Sequence, residues 1–134
     1  MNGIKVLIVD SNAELRTLMS RFLQLHLEIS TLIEASDGND ALTILAHKKV
    51  DIILLEIILP GMDGFKFIEK LLEMQLDPMP QIIVTSSLRR KDFILRAYSL
   101  GVKEYLIKPF GTDELLTSIL KLKYSTNQAK HMVF

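Results

Sequence analysis

Cysteine is absent from this chain, so no disulfide framework and no thiolate metal site can form. Also missing is an excess of either charge. Lys plus Arg and Asp plus Glu stand at 16 each, and no net field recruits nucleic acid or an anionic membrane. No basic stripe or recognition-helix module accompanies that balance, which sets direct DNA binding aside. Long apolar runs are lacking as well. Ile52 to Leu59 is interrupted only by Glu56 and is far too short to span a bilayer, and the opening Met1-Asn-Gly-Ile-Lys5 has no signal-peptide character. Repeats and low-complexity stretches are not found either. What remains is an ordinary globular balance of 49% apolar and 24% charged residues over 134 positions. That length suits a single domain with a real core, and the reading so far is of a cytoplasmic protein.

Short branched runs alternate with helical periodicities along the chain. Lys5 to Val9 reads as a strand buried on both faces, and Leu15, Leu18, Met19 and Phe22 then recur at helical spacing. Thr31 to Ala35 is a second strand, followed by a helix marked by Ala41, Leu42, Leu45 and Ala46. Asp51 to Leu55 is the third strand, with Phe65, Ile68 and Leu72 marking the third helix. Gln81 to Thr85 is the fourth strand, and Ile94, Ala97 and Tyr98 carry a helix closed by Gly101. Glu104 to Ile107 is the fifth strand, and a last helix runs from about Asp113 to Lys123. Domain limits of 1–123 follow, with 124–134 a polar tail or linker stub.

Five strands alternating with five helices predict an α/β sandwich of three layers. Its parallel five-stranded sheet should be doubly wound in the flavodoxin-like order 2-1-3-4-5. Ligand crevices in such sheets lie outside the carboxyl ends of the strands. Asp10, Glu56, Thr85 and Lys108 all fall there and are expected to converge. Around them, Ser11-Asn-Ala-Glu14 matches a helix capping box, Asp63-Gly64 a turn and helix cap. Asp51 reads as an exposed strand start, and His26 and His47 as helix-end residues remote from the strand tips.

The segment Asp51-Ile-Ile-Leu-Leu-Glu-Ile-Ile-Leu-Pro-Gly-Met-Asp-Gly64 resembles the third strand and following loop of the response-regulator receiver family. Together with Asp10, Thr85-Ser86 and Lys108-Pro-Phe110, the resemblance covers roughly residues 4 to 122. It implies a module of two-component signalling and not an enzyme. In that family the strand ends in a phosphate-accepting Asp, and an acidic pair joins it in holding magnesium. Here Glu56 stands at the acceptor position and Ser11 at the second acid. Asp10 keeps the first acid, and Ile58 matches the residue that lends a carbonyl to the metal.

The resemblance also implies that Thr85 and Tyr105 are switch residues, that Ser86 is the small neighbour, and that Lys108 contacts phosphate beside a cis Pro109. Residual magnesium would fall to Asp10, Glu56 and Ile58, but the expectation is weak or lost binding and no cofactor. An added methylene displaces the carboxylate that in-line transfer must position to within a fraction of an ångström, so the expected behaviour is phosphorylation-independent. The longer Glu56 arm is expected to reach Lys108 directly. Partners by resemblance are a histidine kinase or an output protein, with homodimerisation through the fourth helix, fifth strand and fifth helix. That face carries Arg89, Arg90, Lys91, Arg96, Lys103, Glu104 and Lys121. Two alternatives stay open: a conventional receiver phosphorylated by a histidine kinase, and a flavodoxin-like redox protein. Against the latter, Ser11-Asn-Ala-Glu-Leu15 lacks a Ser/Thr/Gly-rich phosphate loop.

Overall fold

A computed structural model describes residues 3–131, with side chains through residue 123. Its elements are β1 (Ile4–Val9), α1 (Ala13–His26), β2 (Ile29–Ala35), α2 (Gly38–His47), β3 (Ile52–Leu55), α3 (Gly64–Glu73), β4 (Gln81–Ser86), α4 (Lys91–Ser99), β5 (Glu104–Ile107) and α5 (Thr112–His131). All pairings are parallel, in the order β2-β1-β3-β4-β5. This is the flavodoxin-like sandwich expected from the alternation of elements.

Period-two alternation along each strand divides the core between the two faces of the sheet. Leu7, Val9, Ile53, Leu55, Ile82 and Val84 pack toward α2, α3 and α4, where they meet Leu45, Phe67, Ile68, Leu71 and Ala97. Their neighbours Val6, Ile8, Ile52, Leu54 and Ile83 pack on the other face with Met19 and Leu23 of α1 and Leu115, Ile119 and Leu122 of α5. Burial on both faces explains why the central strands read as continuous apolar runs.

Three helices start on side-chain caps: Asn12 accepts from the Leu15 N–H, Asp37 from Asp40 and Asp63 from Lys66. The first cap is one residue later than the Ser11 capping box predicts. The Asn12 N–H donates to Asp10 Oδ1 at 2.8 Å, and that turn delays the helix by one position. Gly101, at φ +101°, follows the C-cap residue Leu100 of α4 in the left-handed conformation that ends helices. Asp51 is exposed, as expected, and His26 and His47 lie in the last turns of α1 and α2.

The expected helix faces are partly rotated. Leu18 is 63% exposed, Leu72, Ala46 and Tyr98 are also exposed, and Leu23, Phe67 and Leu71 are buried in the core instead. Each exposed residue sits about one helical step of 100° from a buried one, at the edge of its apolar stripe. At the C-terminus α5 continues to His131, eight residues past Lys123, through part of the stretch read as a tail. Met132 to Phe134 of that tail lie outside the described residues.

Candidate functional site

β1 and β3 are adjacent central strands, and their carboxyl ends place Asp10 and Glu56 side by side. The Glu56 N–H donates to the Val9 carbonyl at 3.0 Å, so the last link between the strands fixes the base of the Glu56 side chain. Just beyond it the chain turns sharply into α3. The Gly64 N–H donates to the Ile57 carbonyl at 2.7 Å, and a Cβ on Gly64 would lie 2.7 Å from Ile57 Cα. Only glycine allows that approach of helix to strand end.

Lys108, one residue past β5, reaches across this crevice. Its Nζ donates to Asp10 Oδ2 at 2.7 Å and to Glu56 Oε1 at 2.7 Å. Both carboxylates are buried, Asp10 at 2% and Glu56 at 5% exposure. The remaining carboxylate oxygens are also engaged: Asp10 Oδ1 by the Asn12 N–H at 2.8 Å and Glu56 Oε2 by the Ile58 N–H at 3.0 Å. Burial pulls the Lys108 ammonium down, but the hydrogen bonds to Asp10 and Glu56, together with their charges, outweigh it and raise its pKa above the ordinary lysine value. The Lys108–Pro109 peptide is cis.

The switch-position residues do not join this cluster. Thr85 is fully buried, and its Oγ1 has no hydrogen-bond partner among the described residues. Tyr105 donates its hydroxyl to the Leu88 carbonyl at 2.6 Å, and the Leu88 N–H donates to Ser86 Oγ at 3.2 Å. Tyr105 thus fastens the β4–α4 connection to β5, and Ser86 ties it back to the end of β4. Burial pushes the Tyr105 phenol above its ordinary value; the Ser86 hydroxyl draws it down and the Glu56 charge raises it.

The groups able to hold a divalent cation are the Asp10 and Glu56 carboxylates and the Ile58 carbonyl. Ser11, at the second acid position, is exposed and brings no charge. No cluster of three or more His, Cys, Asp or Glu side chains occurs among the described residues. Magnesium favours compact oxygen ligands in octahedral geometry, and two carboxylates already hydrogen-bonded around an ammonium, with a serine at the second acid position, fit it poorly.

Sequence reasoning missed a second cation. Arg16 donates from Nη1 to the Asp10 carbonyl at 2.6 Å and from Nε to Glu34 Oε1 at 3.0 Å, while the Ser20 hydroxyl donates to Glu34 Oε2 at 3.3 Å. The available signal was an arginine one turn into α1 and an acid one residue before the end of β2.

The sequence pattern of the response regulator receiver domain matches residues 6–120. Among solved structures, the signal receiver domain of an HD domain-containing protein from Pseudomonas fluorescens is 26% identical, with TM-score 0.83, covering 95% of this chain and 99% of that one. The response regulatory domain of protein mrkE from Klebsiella pneumoniae is also 26% identical, with TM-score 0.82 and coverage of 93% and 99%. A receiver domain protein from Methanospirillum hungatei, 21% identical at TM-score 0.81 over 95% and 99%, shares the fold. The fold agrees with these matches, and the chain belongs to the response-regulator receiver domain family of two-component signalling.

Proposed function

We propose that this receiver acts as a protein-interaction module whose signalling does not require phosphorylation of its central carboxylate. One observation carries the reading: Lys108 Nζ lies 2.7 Å from both Asp10 and Glu56, and every oxygen of the two carboxylates accepts a hydrogen bond. A phosphoryl group on Glu56 would have to break that cluster without a third acid at position 11 to help hold a metal. Both losses act on one transition state, which depends on positioning and charge neutralisation. Magnesium binding is weak or lost in this reading, no other cofactor is needed, and the domain works in the cytoplasm as a module and not an enzyme. No helix among the described residues is long and apolar enough to cross a membrane.

The partner is a signalling protein, a kinase or an output protein, or a second copy of the chain, docking on α4, β5 and α5. On that face Arg90 pairs with Asp92, Arg96 with Glu69 and Lys121 with Glu104. Arg89, Lys91 and Lys103 are exposed and have no ion-pair partner among the described residues, which favours an acidic counterpart.

Conventional phosphorylation remains the second reading, favoured by the buried Thr85 hydroxyl, which a phosphoryl oxygen could satisfy. Incubation with acetyl phosphate, or with beryllofluoride, in magnesium, followed by intact mass and chemical-shift mapping, separates the two. No adduct and no saturable shift at Thr85 or Lys108 is the expected result; a stoichiometric adduct refutes the proposal. Glu56→Asp combined with Ser11→Asp should then recover magnesium affinity and some phosphorylation, more than either change alone.

A further inference from the structure

Five charges of alternating sign run along the carboxyl edge of the sheet: Glu34, Arg16, Asp10, Lys108 and Glu56. Consecutive members are joined by hydrogen bonds of 2.6 to 3.0 Å. Only the Arg16–Asp10 link runs through a backbone atom. Asp10 lies one residue past the end of β1, so its carbonyl is outside the strand ladder while the residue itself is buried. A buried carbonyl must find a donor, and the Arg16 guanidinium supplies one from the first turns of α1. The Nε of that guanidinium is held by Glu34, itself fixed by Ser20.

We infer that Arg16 is a positioning residue for the Asp10–Lys108–Glu56 cluster, acting from α1 by clamping the backbone of Asp10. The inference rests on reading that cluster as the site through which the domain works. The planar guanidinium bonds two acceptors at once, which a lysine ammonium on a flexible stem cannot reproduce with the same geometry. When the clamp is lost, the Asp10 carbonyl is left without its donor, the β1–α1 turn relaxes, and the carboxylate shifts relative to Lys108. Any force on α1 is thereby felt at Glu56, three links away.

Amide hydrogen exchange reads this directly, because the Asn12 and Ile58 N–H groups each donate to one carboxylate of the cluster. Arg16→Met should accelerate exchange at both amides about tenfold beyond the change at the central-strand amides of Leu54 and Ile83, since a charge-assisted hydrogen bond is lost locally. Arg16→Lys should give an intermediate acceleration at the same two amides, and Glu34→Gln a smaller one. Uniform acceleration across the sheet, or unchanged Asn12 and Ile58 amides, would show a merely structural arginine and overturn the inference. Should Arg16→Met fail to fold, the lysine variant decides by the same criterion. A phosphoryl adduct detected by intact mass would refute the proposed function and leave this exchange pattern as an independent result.

Discussion

Replacing Thr85 by valine removes one hydroxyl from the interior and keeps nearly the same shape. The residue is 0% exposed on β4, and its Oγ1 has no partner among the described residues. Burying a hydroxyl without a hydrogen bond costs about 1–3 kcal/mol in proteins. A methyl in its place escapes that penalty and gains a little apolar burial. Thr85→Val should therefore stabilise the domain by about 1 kcal/mol, at the lower end of that range because the surrounding packing has to accept a methyl. Thr85→Ser is the matched control: it keeps the hydroxyl and deletes the methyl, and should destabilise by about 1 kcal/mol. Urea unfolding followed by far-UV circular dichroism measures both, and a stabilisation of this size should raise Tm by about 3–5 °C. A valine variant less stable than the parent by more than about 0.5 kcal/mol would mean that the hydroxyl is engaged in solution, and the separation of Thr85 from the ionic cluster would be wrong.

Glu56→Ala should cost about 1–3 kcal/mol in urea unfolding, because it leaves the Ile58 N–H and one side of Lys108 without an acceptor. Glu56→Gln keeps the shape and should cost less, with Tyr105 resonances moving less than in the alanine variant. At alkaline pH the parent should lose stability through two groups. The Lys108 pKa is raised above its ordinary 10.5 and that of Tyr105 above its ordinary 10.0, so the folded state holds protons that the unfolded state releases. Their contribution is full below these ordinary values and disappears as pH rises from there through the folded values. Glu56→Gln should flatten the Lys108 part of that decline and Tyr105→Phe the remainder, read from unfolding curves at stepped pH.

The strands were legible in the sequence because each is a short, local signal. Their order followed from the crossover rules and the receiver resemblance, and the meeting of Asp10, Glu56 and Lys108 followed from that order. A doubly buried strand is a branched apolar run, and the residue after it necessarily lies at the crevice. The Glu56–Lys108 contact followed from their shared place at the strand ends and the longer Glu arm, and the structure adds Asp10 as the second acceptor. The Arg16–Glu34 link was not legible, since it joins residues 18 positions apart on a helix and an edge strand, and no local pattern marks such a pair. Helix faces were blurred because a residue 100° from the buried stripe can be read on either side of it, as Leu18 and Leu72 show. The end of α5 was misplaced for want of a stop signal: no glycine or proline occurs between Thr112 and His131. Thr85 was expected with the others from its place on β4 and from the resemblance. The Leu55–Val84 pairing does set it next to Glu56, but its hydroxyl makes no hydrogen bond to the cluster.

The alternating charges at the strand ends also determine what the crevice presents to distant molecules. Three acids interleaved with two cations leave a net charge of only −1, so their field is weaker than that of an open acidic pocket. Beyond about 8–10 Å, the Debye length at physiological salt, little of it survives. In the proposed docking on α4, β5 and α5, steering of an approaching partner therefore falls to the lysines and arginines around α4. The association rate should follow ionic strength through those surface residues, while the buried cluster at Lys108 stays indifferent to the salt around it.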